Sequence, residues 1–378
     1  MNKTVLSQIK LAIRLNLDEK AGQIIESHGA YLSKRDIAIL IRYMDKLNTH
    51  PYKLIEYIYG GSAYARNVPP STKKNYLMSC ASFNGDTNMM RFLLNCQTDP
   101  CLLDNIVIKN ACQNGHAEIV RLLLEDGRAD PCTDENRAIR CASRYGHTEI
   151  VRLLLEDGRA NPAADSNGAI RSASLCGHVE VVRLLLNDRR VDPCAEAIRS
   201  ACWRGHTEVV LLLLEDGRSD PGVIVIGDGI CAILTAVWSG IDEIVQLLLE
   251  DERVDPGCLN NRAIVDACTK GRMKIVQTLL SDPRVIPGDS NSCKAIRKAI
   301  EGGFTEIVRI LLEDGRADPS TKDNRAIRSA ILHNHTDIVR ILAADRRVVG
   351  AGLDDVLQYT KDLGRPIMTD LIIKAMQT

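Results

Sequence analysis

Apolar and polar positions along this chain recur with the spacing of helices, and the recurrence comes in pairs. Within residues 146–162, Ile150, Val151, Leu154 and Leu155 share one helical face behind Thr148 and Glu149, and the acidic Glu149 suits the positive end of a helix. Upstream, Ala138, Ile139 and Ala142 make a second apolar stripe that stops at Gly146, a residue fit for a left-handed C-cap. The pattern predicts two helices joined by a tight turn, after which Arg159 to Pro162 leaves the second helix. Proline fixes its own φ and biases the preceding residue away from the α region. The steps Asp130-Pro131, Asp192-Pro193, Asp220-Pro221, Asp255-Pro256 and Asp318-Pro319 therefore predict extended or turned fingers between hairpins.

The hairpin is duplicated many times. GHAEIVRLLLEDGRADP (115–131), GHTEIVRLLLEDGRANP (146–162) and GHVEVVRLLLNDRRVDP (177–193) align at a period of 31 residues. The anchoring glycine recurs as Gly85, Gly115, Gly146, Gly177, Gly205, Gly240, Gly271 and Gly303, and Asn334 takes its place in a ninth copy. Four residues before each anchor stands an alanine, from Ala81 and Ala111 to Ala299 and Ala330, as a close helix contact requires. Fainter anchors at Asn16, Asn48 and Gly364 extend the register over nearly the whole chain. Helix should dominate, with little or no sheet.

The GHxEIVRLLL helix, the unit of about 31 residues and the small residue before the glycine resemble the ankyrin repeat family over residues 73–345. The resemblance implies an all-α solenoid of stacked helix-turn-helix repeats with short finger loops, about 12 hairpins including degenerate terminal ones. Residues 1–72 would be divergent N-terminal capping hairpins, 73–345 the regular array of about nine repeats, and 346–378 a degenerate C-terminal capping repeat. One departure stands out. Where the family usually carries Thr-Pro-Leu-His, this chain has Arg137-Ala138-Ile139-Arg140 and Arg325-Ala326-Ile327-Arg328, which removes the Thr and His that usually tie neighbouring units. The Asp-Pro finger and Ala-Ile-Arg variant is similar to ankyrin proteins encoded by giant DNA viruses of amoebae and by some protists; a viral origin would imply the host cytoplasm.

Composition narrows the function. The 378 residues are 45% hydrophobic and 26% charged, enough for a packed core, and 48 basic against 49 acidic side chains leave −1, too little for a global field that would hold nucleic acid or an anionic membrane. No apolar run of about 18 residues predicts a membrane span. Only 4% of residues are aromatic, so Leu, Ile, Val and Ala must fill the core. The basic, tyrosine-rich first 84 residues read as a distinct capping end. Thirteen cysteines, scattered without a CxxC pair, predict neither a disulfide framework nor a zinc knuckle but reduced thiols in a cytoplasmic protein.

Candidate chemistry follows the repeat. His116, His147, His178 and His206 recur once per unit, so they should form a spaced ladder rather than a metal site, with helix capping as their role. Cys112, Cys202 and Cys268 occupy a small-residue position of the first helix. The basic series Lys10, Arg42, Lys109, Arg140, Arg171, Arg199, Arg297 and Arg328 should bond the Asp-rich fingers, or else meet an acidic partner. No nucleophile elbow, HExxH or phosphate-binding loop occurs, so neither a cofactor nor catalysis is expected. Chelators and mild reductant should accordingly leave the melting temperature unchanged, and a fall of more than a few degrees on chelation would show a metal site.

The positions just before each glycine are different, because they vary while the rest of the unit does not. Both tryptophans of the chain, Trp203 and Trp238, fall there. In the family these positions end the first helix on the concave face. Trp, Tyr and Arg dominate interface energetics, so Arg144, Tyr145, Leu175, Trp203, Arg204, Trp238 and Lys270 form the candidate partner-binding surface. Nearby, Gly177 to Gly205 is shortened and Gly205 to Gly240 is lengthened by the β-branched insert Val223-Ile224-Val225-Ile226, which should either pack or meet a partner. The expected function is a monomeric, non-catalytic scaffold for a protein partner, binding neither nucleic acid nor membrane. The alternative is a substrate-recruiting adaptor of a ubiquitin ligase, although no Leu-Pro-rich F-box pattern lies at either end.

Overall fold

The computed structural model describes residues 7–11, 70–224, 229–288 and 293–377. Apart from 7–11 and 70–72, the divergent segment 1–72 lies outside the described residues, as do Arg42 and the Val225-Ile226 half of the insert. Among the described residues there is helix and no strand. The helices are α1 (Pro70–Asn84), α2 (Thr87–Asn95), α3 (Leu102–Asn114), α4 (Ala117–Asp126), α5 (Thr133–Arg144), α6 (Thr148–Asp157), α7 (Ala164–Cys176) and α8 (Val179–Asn187). They continue as α9 (Ala195–Arg204), α10 (Thr207–Asp216), α11 (Ala232–Ser239), α12 (Asp242–Glu250), α13 (Cys258–Thr269) and α14 (Met273–Ser281). The last are α15 (Lys294–Glu301), α16 (Thr305–Asp314), α17 (Thr321–Leu332), α18 (Thr336–Ala343), α19 (Arg346–Gly350), α20 (Asp354–Asp362) and α21 (Pro366–Met376).

The chain forms two compact units, one of residues 1–173 with 187–191 and the other of 174–186 with 192–378. In each, odd and even helices pair as hairpins up to α18, as the periodicity predicts. Ala138, Ile139 and Ala142 of α5 are buried, and so are Ile150, Val151 and Leu154 of α6. The same positions are buried in the second unit: Ala197, Ile198 and Ala201 of α9, and Val209, Val210 and Leu213 of α10. Small residues on the first helix let it approach its neighbours closely, and the branched residues of the second helix fill the layer behind it.

The fingers are turned, not extended. Asp99, Asp130, Asp220, Asp255 and Asp318 each accept a hydrogen bond from the backbone N–H two residues on, at 2.8–2.9 Å, closing a turn over the intervening proline. Several first helices then open with three residues in the left-handed region: Asp134-Glu135-Asn136, Asp165-Ser166-Asn167, Leu259-Asn260-Asn261 and Lys322-Asp323-Asn324. Left-handed backbone costs roughly 1–2 kcal/mol per residue for L-amino acids, least for Asn and Asp. The terminal asparagine helps to offset that cost by tying its unit to the next. Asn105 Oδ1 accepts from the Asp130 N–H at 2.9 Å, Asn136 Oδ1 from Asn161 N–H at 2.7 Å and Asn261 Oδ1 from Ile286 N–H at 2.7 Å.

A second tie runs through the Asp-x-Arg repeated at the end of each hairpin from α3–α4 to α17–α18. In the first unit Arg159 binds Asp157 at 2.8 Å and donates to the Gly127 and Ala129 carbonyls of the preceding finger, at 3.2 and 3.0 Å. In the second, Arg284 binds Asp282 at 2.6 Å and donates to the carbonyls of Val254 and Leu249, at 2.9 and 2.8 Å. Arg253, Arg316 and Arg347 repeat the arrangement. The guanidinium is always charged, and its planar fork can serve a carboxylate and two carbonyls at once.

These staples make the array sensitive to acid. Hydrogen bonds from the arginine two residues on hold the Asp126, Asp188, Asp251, Asp282 and Asp345 carboxyls below their ordinary range. A carboxylate with a depressed folded-state pKa contributes stability that is present above its unfolded value and is lost as pH falls through the folded one. The melting temperature should therefore decline as pH drops below about 4, the ordinary aspartate value. Asp282→Ala should cost about 1–2 kcal/mol at neutral pH, with the partial exposure of Arg284 allowed for, and should flatten the decline. Thermal scans at pH 7 and pH 3 on both proteins check this, and identical acid sensitivity would contradict it.

Candidate functional site

The histidine ladder is structural, by a route other than capping. His116, His147 and His206 stand at the N-cap positions of α4, α6 and α10, yet none makes a side-chain cap hydrogen bond. Each ring instead reaches back one unit. Nε2 donates to the carbonyl two residues before the preceding glycine: His116 to Phe83 at 3.0 Å, His147 to Gln113 at 3.0 Å and His206 to Leu175 at 3.2 Å. Each histidine is thereby held one unit from the next. Among the described residues no group of three or more His, Cys, Asp or Glu could hold a metal ion.

Cys112, Cys202 and Cys268, at the small-residue position of their first helices, are buried small hydrophobes. Burial pushes the Cys202 and Cys268 thiols up to about 12, and Cys112 rises for the same reason. Such thiols are poor nucleophiles.

The basic series meets acidic groups at the starts of first helices rather than in the fingers. Lys109 pairs with Asp134 of α5 at 3.5 Å, Arg140 with Asp165 of α7, and Arg328 with Asp355 of α20 at 3.7 Å, each at the opening of a following helix. Arg171 turns to the opening of its own helix, donating to the Asp165 carbonyl at 3.0 Å, and Arg297 pairs along its helix with Glu301 at 3.4 Å.

Apolar side chains remain in solvent in the row before the glycines, as others such as Phe92, Ile286 and Ile367 do elsewhere. At the second position before an anchor, Phe83 is 56% exposed, Leu175 37%, Trp203 52% and Leu332 55%. Phe83 and Leu332 lie outside the candidate set drawn from the sequence, although they occupy the same register position as Trp203. Tyr145, one residue later in its own unit, is exposed and stacks on His147 with ring centroids 6.2 Å apart. Arg144, Arg204 and Lys270 are also exposed.

The structure brings two of the candidates into contact. Trp203 and Trp238 meet edge to face, with centroids 6.2 Å apart and planes at 84°, a favourable aromatic geometry. They are not equivalent. Trp238 is half-buried, its Nε1–H donates to Asp266 Oδ2 at 2.8 Å, and the Arg262 guanidinium lies over its ring at 5.8 Å from the centroid. Arg262 in turn pairs with Asp266 at 3.3 Å. Trp238 is thus clamped from α13 and presents a fixed surface on which the half-exposed Trp203 rests. Arg262 and Asp266 were invisible as site residues in the sequence, because only folding carries them to the indole.

The altered fingers contribute an open cleft of about 510 Å³, lined by Pro193, Cys194, Glu196, Arg218, Val223 and Ile224 among others. Val223 and Ile224 remain 43% and 42% exposed. The described half of the insert has therefore not packed away. No helix among the described residues is long and apolar enough to cross a membrane.

Comparison with known proteins adds one finding. A family model described as Ankyrin repeats (3 copies) matches residues 77–165, 108–197, 198–286 and 266–351, well over half of the chain. No curated protein matches the chain.

Proposed function

The chain belongs to the ankyrin repeat family, whose units are in general protein–protein interaction modules and typically non-catalytic, and we propose that it is a cytoplasmic, non-catalytic scaffold that holds a protein partner through the row before its anchoring glycines. One observation carries the reading: Trp203 is left half in solvent on top of a tryptophan that α13 holds in place. A rigid, partly desolvated aromatic is what interface anchors are made of. In the second unit Leu175, Arg204 and Lys270 extend the row, and the exposed arginine and lysine favour a partner segment that places carboxylates around an apolar anchor. The exposed Val223 and Ile224 supply further apolar surface in the second unit.

The test is affinity capture from the native host cell with the wild-type chain and Trp203→Ala as paired baits. The reading requires a protein held by the wild type and lost with the variant. Equal recovery on both baits would overturn it. A ligase core subunit among the proteins retained would instead favour the ubiquitin ligase adaptor.

A further inference from the structure

Finger cysteines in three units share one arrangement. Cys101 Sγ–H donates to the Arg128 carbonyl at 2.8 Å, Cys132 to that of Arg159 at 3.0 Å, and Cys293 to that of Asp318 at 2.8 Å. Each proton is given to backbone of the following unit. Cys231 breaks the rule, because its sulfur meets another sulfur, that of Cys258, at 2.9 Å.

The two come together through the fold, being 27 residues apart in sequence. Cys231 is the buried residue just before α11, and its extended backbone (φ −99°, ψ 168°) starts the helix. Cys258 is the half-buried first residue of α13, so solvent can reach the pair from its side. A disulfide needs its sulfurs about 2.05 Å apart, which this pair attains by a contraction of under about 1 Å.

We propose that Cys231 and Cys258 are a peroxide-sensitive dithiol that closes reversibly to an intramolecular disulfide. The hydrogen bond from the Cys258 thiol, aided by backbone N–H groups of Leu234 and Ile233, draws the Cys231 thiol below the ordinary range, and the same contact pushes Cys258 up. A thiolate at this position is the reactive form. It attacks one oxygen of hydrogen peroxide, the O–O bond breaks, and hydroxide leaves to take up the proton the thiol gave away. The second sulfur then displaces hydroxide from the sulfenic acid, its own proton leaving in the water formed, and the S–S bond closes. Two thiols lose two electrons and one peroxide becomes two waters. The bridge encloses α11 and α12 and joins the element bearing Trp238 to α13, which bears Asp266 and Arg262.

The test uses the full chain, reduced, then treated with a slight excess of hydrogen peroxide at neutral pH and alkylated after denaturation. The expected result is the loss of two titratable thiols, a mass lower by about 2 Da before alkylation, and a peptide map joining the Cys231 and Cys258 segments. Dithiothreitol should restore both thiols, and Cys231→Ser and Cys258→Ser should each abolish the crosslink. Full alkylation of both residues after peroxide would overturn the proposal. So would recovery of Cys231 as sulfinic or sulfonic acid, or a bridge from either residue to a different cysteine. The wild-type peptide map decides between these outcomes even if a variant folds poorly.

Discussion

Trp203→Ala should weaken partner binding by about 30-fold or more while leaving the melting temperature nearly unchanged. Truncating a central aromatic anchor typically costs about 2 kcal/mol or more, and about 1.4 kcal/mol is a factor of ten in affinity. The stability cost is small because the indole is 52% exposed and gives up one edge contact. Trp238→Ala should weaken binding by a similar factor but also destabilise the fold by about 2–3 kcal/mol, since it leaves Asp266 without its indole donor and α11 without its cover. The hydrogen bond to Asp266 is the reason the two truncations part company in stability. Gln113→Ala should be nearly silent in binding, because Gln113 shares the register position of Trp203 but carries a polar side chain in place of an aromatic anchor. Calorimetry with the captured partner, beside thermal scans of each variant, reads both quantities. Unchanged affinity for Trp203→Ala would remove the tryptophan from the binding surface.

Gly115→Ala should cost about 3 kcal/mol, and Gly127→Ala only about 1–1.5 kcal/mol, although the two glycines have nearly the same φ of 82° and 78°. The left-handed backbone penalises alanine equally at both. The difference lies in what a new Cβ meets. At Gly127 nothing lies within 4 Å, whereas at Gly115 the His147 ring stands 2.7 Å away. That ring cannot swing aside freely, because its Nε2 is bonded to the Gln113 carbonyl and its face is stacked on Tyr145. Displacing it loses a tie between units as well as a contact. Adding His147→Ala to Gly115→Ala should cost less than the two single changes predict, and strict additivity in chemical denaturation would show that the ring does not guard the glycine.

What could be read from the chain alone was what depends on neighbours along it. Helix faces, their start at Thr148 and their end at Gly146 are set by spacings of three and four residues and by local backbone preference, so the hairpins were legible residue by residue. The prominence of Trp203 was legible too, because one varying position stands out against an otherwise constant unit. The ties between units were not. The replacement for the missing Thr and His came from Asn105, Asn136 and Asn261, from Arg159 and Arg284, and from histidines bonding carbonyls a full unit back. Each is a bond across 25 to 35 positions, whose geometry exists only once one hairpin lies against the next. In the sequence the histidines read as helix caps and Arg159 as the start of a finger, since composition and period carry no information about which carbonyl a guanidinium will meet. Stacking likewise separated the two tryptophans, by giving Trp238 the carboxylate of Asp266 and leaving Trp203 to solvent, and it placed Cys231 on Cys258 although no CxxC spacing announces them. Periodicity determined the hairpin; packing between hairpins decided which of its polar groups hold the array and which remain free to act.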